Sequence, residues 1–126
     1  MKEDTTIKLF EERKIRMHFD EQTEEWYFSV IDVVEVLTDS PNPHDYWFKM
    51  KQRVTLEDGI ELSTICRQLK LTSTDGKKYN TDCANVQSLL RIIQSIPSPK
   101  AEPFKQWLVK VGYERIQETI DELSTR

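Results

Sequence analysis

Trp26-Tyr27-Phe28-Ser29-Val30-Ile31-Asp32-Val33-Val34-Glu35-Val36-Leu37 holds the change of period on which the fold turns. Trp26-Tyr27-Phe28 is a short aromatic run of the kind that suits a pleated surface. Val30, Val33, Val34 and Leu37 follow at i, i+3, i+4 and i+7, a helical stripe. Ser29 stands at the junction as an N-cap. Asp32, three residues on, is the expected reciprocal carboxylate of a capping box. A strand therefore passes directly into a helix.

Upstream, Ile15-Arg16-Met17-His18-Phe19 alternates strictly, which predicts a half-buried strand with Ile15, Met17 and Phe19 inward. Thr6 to Phe10 predicts another strand across the charged turn Glu11 to Lys14. The three strands make an antiparallel meander. Downstream, Asn42-Pro43 reads as N-cap and N1 of a helix over about His44 to Arg53, followed by a turn at Glu57-Asp58-Gly59. Leu62, Ile65, Cys66 and Leu69 have helical spacing. Asp75-Gly76 between extended runs predicts a hairpin joining Leu71–Ser73 to Lys78–Thr81. Asp82 or Asn85 caps a helix carrying Val86, Leu89, Leu90 and Ile93. Pro97 and Pro99 end it. Phe104, Trp107, Leu108 and Val111 open a further helix with Pro103 in its first turn, since deeper placement costs about 3 kcal/mol. Gly112 is expected to end or kink that helix. Tyr113, Ile116, Ile120 and Leu123 form a last stripe, either packed on the core or joining a homodimer. The expected fold is α+β: a small N-terminal antiparallel sheet, then a helical cluster with one inserted β-hairpin, in a single domain over residues 1–126.

The 126 residues can enclose one core. No apolar run approaches the roughly 18 residues of a membrane span, and no signal-peptide core opens the chain, so the expectation is a cytoplasmic protein without a membrane partner. Cys66 and Cys83 lack the paired spacing of a zinc site and read as reduced, buried thiols. His18 and His44 have no ligand at metal spacing. Ser63 and Ser88 lack a nucleophile context, and the three glycines make no phosphate loop. Glu11-Glu12 and Glu24-Glu25 lie in solvated turns. The expectation is no catalytic residue, no metal and no cofactor, hence no enzyme.

Charge is the remaining signal. Residues 1–46 carry a net −7, residues 47–115 a net +5 and residues 116–126 a net −2. The basic middle offers an anionic partner a surface that the ends do not. Its candidate DNA contacts are Lys49, Lys51, Arg53, Arg67, Lys70, Lys77 and Lys78. Lys49 and Arg53 are i, i+4 on one helix side, with Lys51 flanking. Arg67 and Lys70 sit at a predicted helix end, where the dipole alone accounts for them. Lys77 and Lys78 sit at the hairpin tip, within reach of a phosphate backbone. Gln52, Gln68, Asn80 and Asn85 are the amides able to read base edges. Convergence of Lys49, Arg53, Arg67, Lys77 and Lys78 on one face favours DNA. Dispersal favours capture of a repressor or other regulator by the acidic 1–46 segment.

The chain resembles the BRO family N-terminal domain of phage antirepressor-like proteins. The likeness starts at Lys14-Ile15-Arg16 and runs through Trp26 to Val33, the Tyr46–Arg53 helix and Leu62 to Arg67. Its most specific block runs from Leu89 to Leu108 and is similar to a DNA-damage-inducible protein D-like branch. The resemblance covers about residues 7 to 118. It implies a DNA-binding regulatory module of prophage type joined to a variable C-terminal domain, so the chain reads as an N-terminal fragment. The resemblance carries no contact residues. Trp26, Asp32, Trp47 and Trp107 match its pattern and read as core and capping positions.

Overall fold

The computed structural model describes residues 5–124, with side chains as far as Gly112. The alternating N-terminal segments form β1 (Thr6–Phe10), β2 (Arg13–Asp20) and β3 (Glu25–Ser29). The chain then enters α1 (Val30–Thr38) and α2 (Pro43–Asp58), makes one 3-10 turn at Leu62–Ile65, and forms β4 (Arg67–Thr72) and β5 (Lys78–Ala84). It ends in α3 (Val86–Gln94) and α4 (Ala101–Ser124). The architecture is the expected α+β.

The hairpin β4–β5 is more than an insertion among helices. β5 pairs antiparallel with β3, so all five strands form one sheet in the order β1-β2-β3-β5-β4. That junction is narrow, only Phe28↔Ala84 and Ser29↔Cys83. Register puts Met17, Phe28 and Ala84 in one row on one face. This face carries the main core, with Ile15, Val33, Val34, Trp47, Met50, Leu89, Ile92, Phe104 and Leu108 all buried. The opposite face carries a smaller cluster of Tyr27, Leu71 and Cys83, with Leu69 against it. The sheet curls around that small cluster. Arg67 on β4 reaches Asp20 at the end of β2, the Thr72 N–H donates to Thr5 Oγ1, and Thr72 O accepts from Arg16.

Four local expectations are corrected. The Leu62–Leu69 stripe is no helix: cross-strand pairing with β5 overrides the spacing, and only the first four residues make a helical turn. The helix opened by Asn42-Pro43 runs past Arg53 to Asp58, and Gly59 ends it in the left-handed conformation at φ 70°, its N–H donating to Thr55 O. Asp32 accepts nothing from Ser29. Its own N–H donates to Ser29 Oγ, while its carboxylate turns to Arg16. Gly112 does not end α4, which runs on to Ser124. It is the point where α3 meets α4, because a Cβ there would lie 2.6 Å from Val86 Cγ2. The Tyr113 to Leu123 stripe lies outside the described side chains. Asn85 rather than Asp82 caps α3, and Pro103 lies in the first turn of α4 as expected.

The β1–β2 hairpin turns through Glu11 and Glu12, at φ 50° and 68°, between the Phe10↔Arg13 pair. Two positive φ values in a two-residue loop make a type I′ turn, which favours Asn-Gly and strains a residue with a longer side chain. The double substitution Glu11→Asn with Glu12→Gly is expected to stabilise the fold by about 1–2 kcal/mol. A rise in the urea midpoint at unchanged slope checks it, and a lower midpoint refutes it.

Candidate nucleic-acid interface

The seven candidate cations fall into separate neighbourhoods. Along α2 each residue turns 100°, so Lys49 and Lys51 point to different sides and Lys51 does not flank the Lys49–Arg53 pair. Lys49 and Arg53 line one cleft with Asn42, Tyr46, Met50 and Pro97. Lys49 is mostly exposed and pairs with Asp45 at 3.1 Å, while Arg53 donates to Ser95 O. Lys51 lies on the other side, half-buried, its Nζ 3.4 Å from Asp82 and 5.1 Å from the centre of the Trp47 ring.

Arg67 and Lys70 are strand residues, so the helix-dipole account of them is withdrawn. Three apart on β4, they point to opposite faces. Arg67 lies over Tyr27, 4.8 Å from the ring centre, and pairs with Asp20. The Arg67 guanidinium, helped by the Gln22 N–H, holds the Asp20 carboxyl below the usual carboxylate range. Arg67 thus belongs to the closure of the sheet, at the end of β4 remote from the hairpin tip. Lys49, Arg53, Arg67, Lys77 and Lys78 do not share one face.

A smaller set does gather. Lys70 is opposite Asn80 and Thr72 is opposite Lys78, with Gln68 opposite Asp82. Period-two alternation puts Gln68, Lys70, Thr72, Lys78, Asn80 and Asp82 on one face of the hairpin. Lys77 joins at the tip. Lys70, Lys77, Lys78 and Asn80 are exposed. Among the described residues Lys70 and Lys77 have no ion pair. Asp75, the one acid of the 67–80 stretch, is tied inside the tip by Tyr79 Oη at 2.6 Å and the Lys77 N–H. These bonds hold the Asp75 carboxyl below its usual range.

Two groups that the sequence did not reveal organise this hairpin, which forms an arm. Asp82 accepts from Trp47 Nε1 at 2.8 Å, Gln68 Nε2 at 2.9 Å and Lys51 Nζ, joining α2 to both strands. Burial would push its carboxyl up, and the Gln68, Trp47 and Lys51 bonds together hold it down. Beside the hairpin tip, Arg16 forks onto Asp32 at 2.9 and 3.0 Å and donates to O of Thr72, the last residue of β4, and to Ser29 Oγ. The bidentate, charge-assisted geometry is the strong form of this pair. The sequence signal for Arg16 was its place on the polar face of a strictly alternating strand, which says nothing about a partner on α1.

Cys66 and Cys83 are free thiols, and burial pushes both up to about 12, so neither is a nucleophile at neutral pH. Among the described residues no cluster of His, Cys, Asp or Glu could hold a metal ion, and no helix is long and apolar enough to cross a membrane.

The family model described as BRO family, N-terminal domain matches residues 14–115. The match is to the family and does not extend to a branch of it. No curated protein and no solved structure matches the chain.

Proposed function

The chain belongs to the BRO family through its N-terminal domain, and from that premise we propose that it is a DNA-binding regulatory domain of a prophage antirepressor-like protein, acting in the cytoplasm without catalysis. The observation that carries the reading is the exposed β4–β5 arm. Lys70, Lys77 and Lys78 sit on it, Asp75 at its tip is bonded to Tyr79 Oη and the Lys77 N–H, and its other acid, Asp82, is engaged by Trp47 and Gln68. Such cations bind phosphates and supply affinity without sequence readout. Asn80, exposed between the lysines, is the amide best placed to touch a base edge. Dispersal of Lys49, Arg53, Arg67, Lys77 and Lys78 counts for the protein-capture reading; the DNA reading rests on the smaller set on this arm, Lys70, Lys77 and Lys78.

Fluorescence anisotropy with a labelled duplex across salt concentrations tests the reading. The wild type is expected to bind at low salt. Changing Lys70, Lys77 and Lys78 together to Gln should weaken binding and flatten the log–log salt slope by about 2 to 3, near 0.9 per phosphate contact. Equal binding by the variant, or no binding by the wild type at low salt, overturns it.

Capture of a basic regulator by the acidic N-terminal segment is the second reading. Glu12, exposed on the strained turn, favours it, while Glu11 beside it faces Lys100 Nζ at 4.0 Å. Against it, Asp20, Asp32 and Asp39 are already neutralised by Arg67, Arg16 and Arg13. A protein partner retained in the absence of any DNA binding would put this reading first.

A further inference from the structure

The arm's lysine-bearing face ends in an acid. Asp82 follows Lys78 and Asn80 on the same face of β5 and forms part of a cavity of about 470 Å³ between the arm and α2. His44, Phe48, Lys51, Gln68 and Asn80 line the same cavity. A carboxylate there repels a phosphate that the neighbouring lysines attract. It also occupies Lys51, the one cation of α2 that points into this cavity.

The three bonds to Asp82 differ in what they need. Trp47 Nε1 donates to Oδ2 at 2.8 Å and Gln68 Nε2 to Oδ1 at 2.9 Å; the one oxygen of a neutral amide keeps the Trp47 bond, and its NH2 donates to Gln68 Oε1 once that side-chain amide turns over. Lys51 Nζ stands further off, at 3.4 Å, and its side chain is 28% exposed. Only this contact depends on the negative charge, and it is the longest of the three. Lys51 can therefore leave without unmaking the joint between α2 and the arm.

We propose that Asp82 is a charge latch: it withholds Lys51 from the nucleic-acid backbone and keeps the arm's grip weaker than its lysines would give. The inference rests on the DNA reading of the arm. It makes Lys51 a reserve contact, released when its carboxylate partner is removed. Asp82 acts through Lys51 and is a positioning residue.

The test is anisotropy against one duplex over a salt series, with wild type, Lys51→Gln, Asp82→Asn and the double variant. Lys51→Gln alone should leave Kd within about twofold, because Lys51 makes no phosphate contact while latched. Asp82→Asn should tighten binding several-fold and steepen the salt slope by about 0.9, one added phosphate. The double variant should lose that gain in slope. An unchanged Kd and slope in Asp82→Asn overturns the latch. So does a gain in slope that survives in the double variant, or a Lys51→Gln loss as large as that of an arm lysine. The Lys51→Gln arm keeps every acceptor and holds if Asp82→Asn fails to fold. Binding by the wild type that Asp82→Asn does not tighten sinks the latch alone. No binding by either protein sinks the DNA reading with it.

Discussion

Replacing Arg16 by methionine is expected to cost about 3 kcal/mol of stability, because removing one partner of a largely buried pair strands the other. Asp32 is 9% exposed and would keep the Arg16 backbone N–H while losing both guanidinium bonds. Methionine retains an unbranched stem of similar packing, so the charge and its donors are what the change removes. The loss should not be uniform. Arg16 also donates to Thr72 O, so amides over residues 72–79 should exchange faster than those of β2 and β3. Urea melts and amide exchange check both parts. A loss below about 1 kcal/mol would mean that water replaces the guanidinium at Asp32.

Phe104→Ala should cost about 4 kcal/mol, within the usual range for deleting a buried phenyl ring. Phe104 is fully buried. It meets Phe10 edge-on at 5.0 Å and lies 5.2 Å from Trp107. Trp107 Nε1 in turn donates to Leu9 O. These contacts hold β1, which lies ahead of the 14–115 segment matched by the family, against the core within it. The variant should therefore lose protection in β1 as well as in α4. A cost under about 2 kcal/mol, or β1 amides unaffected, would show that α4 and β1 do not share one core.

What the sequence revealed follows how local each signal is. β1 and β2 alternate, β3 is an aromatic run, and Asn42, Asn85 and Pro103 act within one helical turn, so all were readable from neighbours. The 62–72 segment was not. Leu62, Ile65, Cys66 and Leu69 mimic a helix, while the pairing that decides their state comes from β5. The alternation of Leu69 and Leu71 with Gln68, Lys70 and Thr72 was the available counter-signal. The same error misplaced Arg67 and Lys70. The candidate interface suffered more than the fold, because a lysine's availability depends on which carboxylate lies across the sheet. Lys51 and Arg67 look alike on paper with Lys70 and Lys77. Only three-dimensional pairing separates the two sets. Asp82 could not be found as a hub, since its donors come from α2 and β4.

The narrow junction between β3 and β5 bears on the order in which the molecule assembles. The β1–β3 meander and the β4–β5 hairpin are each closed by a few residues of chain, and hairpins of this kind form in about 1–10 μs. Ser29 and Cys83 meet only after about 54 residues have been looped out, and just two residue pairs reward that closure. The hairpin should form early as an independent unit and dock late. Side chains at the seam, Ala84 above all, would then show low φ-values, so that their truncation speeds unfolding and leaves the folding rate nearly unchanged.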